Sequence, residues 1–188
     1  MTGKKKFNES DIIDKAMNVF WSKGYEGSSL KDLTEATGLL KGSLYNAFQS
    51  KENLFLLCLD HYGHKSNSFF FQNEEPKDYL EKFFQRLIQD GLNKDNVKGC
   101  LIMNSCLEFS DSKSKPAIKN QILFTAIELN FKKVTQAFAE ENECDVKKLT
   151  TNLVTAAFAI REISKFKKEK YFLEQVANNV LKDFGIKV

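Results

Sequence analysis

A chain of 188 residues is long enough for one or two domains with a real hydrophobic core. Only two prolines and nine glycines stand among abundant Leu, Ile, Phe, Lys and Glu, which favours an all-α fold. The net charge of +3 is modest for a nucleic-acid binder, and no apolar run is long enough to span a bilayer. The opening MTGKKKFNES lacks the apolar stretch of a signal peptide, so a cytoplasmic, membrane-free protein is expected. The four cysteines show neither CxxC spacing nor histidines at ligand spacing, and no metal or cofactor is expected.

The first predicted helix runs from about Asn8 or Ser10 to Lys23, and Gly24 ends it. Two helical rows, Ile12, Ala16, Val19 and Ile13, Met17, Phe20, give it a core-facing side. Trp21 and Tyr25 are expected to pack rather than to contact a ligand. Ser28 then stands as N-cap before a short helix whose Leu30, Leu33 and Ala36 fall at i, i+3 and i+6. Gly38 sits where a left-handed residue closes a helix. A second short helix is predicted from about Lys41 to Phe48, with Leu44 and Phe48 turned inward. So few residues between the two favour a steep crossing, the geometry of a helix-turn-helix whose second helix enters the DNA major groove.

The outward face of that second helix carries Lys41, Gly42, Ser43, Tyr45 and Asn46, none of which needs burial. A helix N-terminus has unpaired N–H groups and partial positive charge, and so suits phosphate. Gly42 and Ser43 let the backbone come close to a duplex. Asn46 can pair bidentately with adenine, and Tyr45 can reach a phosphate or a thymine methyl. Ser28, Ser29 and Lys51 flank this face and complete the expected DNA-contacting set.

The run KGSLYNAFQSKENL, preceded by GYEGSSLKDLTEATGL, resembles the tetracycline-repressor family of bacterial regulators. The likeness spans roughly Ile12 to Leu57. It lies in the Gly-Tyr before the second helix, the Lys-Gly-Ser-Leu-Tyr run, the Phe and the Ser-Lys-Glu. Two departures stand out. Leu40 occupies the place of a small capping residue, a cap worth about 1 kcal/mol. Asn46 and Ala47 stand where an aromatic residue or His is common in the family.

Residues 1–51 hold eight Lys against six acids, so binding must rely on where the charges sit: the Lys4-Lys5-Lys6 arm, Lys23, Lys31, Lys41 and Lys51. The arm suits a phosphate strand or the minor groove, or serves only as a solubilising terminus. Ser50 caps a long predicted helix, 51–71, with Leu54, Leu57, Cys58 and Tyr62 on its apolar side. With no flexible linker, this helix is expected to join a DNA-binding domain, 1–50, rigidly to a second domain, 51–188. A polar break at 72–77 holds Pro76. A helix 79–92 follows with Leu80, Phe83, Phe84, Leu87 and Ile88 at helical spacing, then a loop at 93–99. The compact GCLIMNSCLEFSD resembles the ligand domain of a branch of the same family that includes regulators of electrophile and aldehyde detoxification. Beyond it, Ser114 caps a helix to about Glu141, and Asp145 opens one to about Lys167 with Leu149, Leu153, Ala156, Ile160 and Ile163 inward. A last helix covers about 171–184.

Cys100 and Cys106 differ by about 240° around a helix, so a disulfide within it is not expected. They are either small buried hydrophobes or, for Cys100 after Gly99 and near Lys98, a thiol of lowered pKa. His61 and His64 share a helix face without a third ligand, and the basic run Arg161 to Lys170 suits a helix C-terminus.

No Ser-His-Asp, paired-carboxylate, P-loop or dinucleotide pattern is present, so an enzyme is not expected. The expected function is sequence-specific DNA-binding regulation, with a homodimer on a pseudo-palindromic double-stranded operator. The family resemblance implies a repressor released by a small molecule, and a dimer built from the last two long helices. An apolar or aromatic inducer would be held by Tyr62, Phe69, Phe84, Cys100, Met103, Phe109 and Phe124. The alternatives are thiol-based sensing of electrophiles through Cys100 and, more remotely, an architectural DNA-binding role.

Overall fold

The computed structural model describes residues 8–67, 70–72, 74–94, 98–109 and 113–188. These residues form nine α-helices, a closing 3-10 turn and no strand. The Lys4-Lys5-Lys6 arm and Phe69 lie outside the described residues. The helices are α1 (Glu9–Lys23), α2 (Leu30–Thr37), α3 (Lys41–Phe48), α4 (Lys51–Asn67) and α5 (Pro76–Leu92), then α6 (Leu101–Glu108), α7 (Lys115–Ala139), α8 (Val146–Ile163) and α9 (Lys170–Leu181). Packing divides the chain into two compact units. The first comprises residues 1–67 and 101–123, and the second 68–100 and 124–188.

In the first unit, Asn8 caps α1 by accepting from the Ser10 amide, and Gly24 ends it. The two predicted rows of α1 are its buried face except for half-buried Val19, with Ile12, Ala16, Met17 and Phe20 almost wholly covered and Phe20 set edge-on to Phe55. The N-cap of α2 is Ser29, not Ser28. The Ser29 hydroxyl accepts from the Asp32 amide while the Asp32 carboxylate accepts from the Ser29 amide, a reciprocal capping box. Ser28 is buried, and its hydroxyl donates to the Gly24 carbonyl. The inward face of α2 is Leu33 and Thr37, a full turn apart, and Ala36 is exposed. Gly38 closes α2 in the left-handed region at φ 72°. On α4 the buried row is Leu54, Phe55, Cys58, Leu59 and Tyr62, whereas Leu57 is exposed. Apolar residues at adjacent positions leave the face of a helix undecided until a partner selects it.

The second unit gathers α5, α8, α9 and the later turns of α7 around Leu80, Phe84, Phe131, Val134, Leu153, Ile160, Leu173 and Phe184. Helix α5 begins at Pro76, inside the predicted break, because the first helical position needs no N–H and suits a fixed φ. Helix α8 stops at Ile163 rather than near Lys167, and the chain turns before α9. Leu149, Leu153, Ala156 and Ile160 are all buried within this single chain, so the apolar face of α8 is spent on its own core.

Candidate nucleic-acid interface and ligand cleft

Helix α3 is held from behind by only two buried side chains, Leu44 and Phe48. Everything else on it faces solvent: Lys41, Gly42, Ser43, Tyr45, Asn46 and Ala47 are all exposed. Leu40 makes no side-chain cap and is itself 80% exposed, so no side chain of the N-cap residue occupies the first amides of α3. A Cβ placed on Gly42 would meet nothing within 4 Å, which leaves that stretch of backbone open to close approach. Exposed, lightly capped and flanked by Lys41, this end of α3 has the physical character of a phosphate-binding helix terminus.

The other expected DNA-contacting residues divide. Ser29 is exposed, but its hydroxyl is engaged in the capping box. Ser28 is withdrawn into the fold. Lys51 is half-buried, with Nζ 4.4 Å from the centre of the Tyr25 ring, a cation–π contact that gives it a packing role as well. Tyr25 is wedged among Phe20, Phe55 and Phe109, and burial first, then Glu52 and Glu26, push its phenol up from the ordinary range. Between α3 and α4 the backbone makes a tight turn at Gln49, with φ 67° and ψ −48°. The Ser50 amide donates to the Phe48 carbonyl there, the strained kind of γ-turn.

One fastening was not visible in the sequence. The Glu108 carboxylate, at the end of α6, accepts from the backbone amides of Tyr25 and Glu26, each at 3.0 Å. It therefore holds the turn between α1 and α2, although it lies more than 80 residues further along the chain. Nearby, Lys119 of α7 pairs with Asp60 of α4 at 2.8 Å, and Lys115 with Glu52 at 3.5 Å. His61, expected to face solvent or line a pocket, instead bonds Asp14 of α1 at 3.0 Å beside Lys65. Burial raises the Asp14 carboxyl, but hydrogen bonds from Lys65 and His61 outweigh it and hold the group below its usual range.

Of the seven expected ligand residues, Phe69 lies outside the described residues and the other six fall in both units. In the first, Tyr62 is buried against Trp21, Phe109 stacks on Tyr25 and Phe55, and Met103 is half-buried. In the second, Phe84 is fully buried in the core, Cys100 is 3% exposed, and Phe124 stacks on Phe158. The Cys100 amide donates to Glu162, while Cys106 is the exposed thiol of the pair. A cleft of about 480 Å³ opens instead within the second unit, and none of these six lines it. Its walls are Phe70, Tyr79, Phe83 and Leu87, and its edges Gln72, Glu74, Lys82, Arg86, Asp90 and Arg161. Asn130 fixes the wall. Its amide donates to the Tyr79 hydroxyl at 2.8 Å, and its oxygen accepts from the Phe71 amide at 2.8 Å. Burial pushes the Tyr79 phenol up to about 12, so the ring is a neutral wall at physiological pH.

Comparison with known proteins bears on the first of these sites. The model of bacterial regulatory proteins of the tetR family matches residues 12–58, which are α1, α2, α3 and the start of α4. Those helices are similar to the matching part of regulators of that family. The repressor ComR of Escherichia coli is 35% identical over 111 residues, 56% of this chain and 53% of ComR. The repressor DhaR of a Mycobacterium species is 32% identical over 106 residues, 53% of this chain and 50% of DhaR. The chain thus spans about half the length of the curated relatives it matches. Over the whole chain, the fold is that of tetR-family regulators. A regulator of this family from Cytophaga hutchinsonii superposes with a TM-score of 0.78 at 25% identity, covering 98% of this chain and 99% of that one. A cysteine-substituted CifR bound to 26-bp operator DNA has a TM-score of 0.78 at 23% identity over 95% and 97% of the two chains.

Proposed function

We propose that this protein is a transcriptional repressor that binds operator DNA as a homodimer and lets go when a small molecule is bound. The observation that carries the reading is α3 itself: a tetR-type recognition helix whose Lys41, Ser43, Tyr45 and Asn46 all face outward with nothing covering them. Relatives named as repressors and a fold neighbour held on operator DNA support the same direction. One helix-turn-helix reads too few base pairs for specificity, and twofold proteins mirror twofold sites, so the operator is a pseudo-palindrome.

The dimer seam uses what α8 and α9 leave outside their own core. Thr151 and Thr155 on α8, and Gln175 and Asn179 on α9, are exposed, and Tyr171 is 68% exposed at the start of α9. The releasing molecule occupies the α5 cleft, which has the size and the apolar walls of a small-molecule site. A thiol route through Cys100 gains no support from the burial of that side chain. No helix is long and apolar enough to cross a membrane among the described residues.

The test is binding of the full chain to duplexes selected from a random pool, with molar mass measured by light scattering. A dimer on a dyad-symmetric site supports the reading. Monomeric or sequence-independent binding with a steep salt slope would favour the architectural alternative.

A further inference from the structure

The cleft has a chemical bias beyond its size. Along one edge of α5 stand Lys82, Arg86 and Asp90, each four residues after the last, and so in one row on the helix surface. Arg161 reaches the same cleft from α8, and Glu74 stands at the edge from the segment before α5. Among the described lining residues, three cations therefore meet two carboxylates around walls of Phe70, Tyr79, Phe83 and Leu87. The surplus among these described residues is one positive charge. It would accept one negative charge on the ligand, whereas a dianion such as a phosphate monoester would also face Glu74 and Asp90.

We propose that the ligand of this cleft is an apolar monocarboxylate. Its aromatic or alkyl body lies on the Tyr79–Phe83–Leu87 wall and its carboxylate pairs with the Lys82–Arg86 row and Arg161. The inference rests on the reading that the α5 cleft is the regulatory ligand site, and adds the class of molecule. Two features make the cleft a prepared one. The Tyr79 ring is pinned through Asn130 and stays neutral, so it adds no negative charge against a carboxylate. Arginine offers a planar fork that matches a carboxylate with two parallel hydrogen bonds, and the cleft has two arginines.

The experiment uses three probes with one body: 4-phenylbutyrate, 4-phenylbutanol and 4-phenylbutylamine. Each is titrated calorimetrically into the full-length protein without DNA. The acid should bind at least about tenfold tighter than the alcohol, the scale of one charge-assisted hydrogen-bond pair, and the amine weakest of all. In the Lys82→Gln/Arg86→Gln variant, and separately in Arg161→Gln, the acid should lose that advantage while the alcohol is unchanged. That double difference places the carboxylate and does not depend on overall stability. Equal binding of acid and alcohol overturns the proposal. So does an acid advantage that survives both variants, preference for the amine, or no saturable binding of the acid. Operator affinity is then measured with and without the acid. If the acid binds as described but leaves operator affinity unchanged, the ligand class stands and the release mechanism falls.

Discussion

The candidate recognition helix and the candidate ligand cleft contrast two ways of building a site from helices. Helix α3 commits only Leu44 and Phe48 to the interior and gives nearly every other position to the outside. Its candidate contact residues lie close together in sequence, on either side of buried Leu44, and are exposed. Helix α5 does the opposite. Tyr79 and Leu87 belong to the buried core and line the cleft at once, while the charged edge comes from the same helix one position away and from α8. A reading face can therefore be changed without touching the fold, whereas the walls of a cleft cut into a core cannot.

That contrast predicts a graded set of outcomes. The largest belong to the core of the second unit. Phe84→Ala, at a fully buried position, should cost about 3–5 kcal/mol in denaturant unfolding, as a large cavity does. Ile160→Glu should abolish folding rather than only split a dimer, because Ile160 is wholly inside its own chain. A folded, monomeric Ile160→Glu would show instead that α8 uses this face between protomers.

Next come changes on α3. Tyr45→Ala should weaken binding to every sequence, and Asn46→Ala should also relax preference at one base position, each by about 1–3 kcal/mol. Neither should move the melting midpoint, since both side chains are exposed. Lys51→Ala should differ from them by losing stability as well as affinity, because its ammonium lies over the Tyr25 ring. A purely DNA-side effect at Lys51 would break the distinction.

Glu108→Ala should follow, at about 1–2 kcal/mol, by stripping the Tyr25 and Glu26 amides of their shared acceptor. Amide exchange at those two positions should accelerate while α3 stays folded, and Glu108→Gln should restore part of the protection. Ser29→Ala should cost about 1 kcal/mol through the lost cap of α2.

The smallest effect is acid-dependent. Asp14 has a folded-state value below the ordinary 3.8, so its contribution is present above that value and is lost as pH falls through the lower folded one. Asp14→Asn should therefore lower stability at neutral pH, and the gap from wild type should close in acid melts below pH 3.8.

What the sequence disclosed follows from the same contrast. The helix order, Gly24 and Gly38 as stops, the caps at Ser50, Ser114 and Asp145, and the inward pair Leu44 and Phe48 were all readable, because each rests on local chemistry within a turn or two. Local rules failed where two neighbours were equally suitable. Ser28 and Ser29 can both cap, and only the reciprocal bond with Asp32 selects Ser29. Ala36 and Thr37 can both turn inward, and packing chooses Thr37. Glu108 on the α1–α2 turn, and Arg161 at the same cleft as Arg86, bring together residues distant in the chain, which no periodicity encodes. The aromatic stock was noticed, but sequence alone did not separate the rings that fill the core from Phe70 and Phe83, which face the cleft.

The most direct test of the central claim is selection of duplex sites by the full-length chain, with wild type and Tyr45→Ala/Asn46→Ala in parallel. The account predicts one motif with dyad symmetry, half-sites about a helical turn or a multiple of it apart, and loss of that motif in the double variant with its melting curve unchanged. Recovery of no motif by wild type, or of the same motif by the double variant, would contradict it.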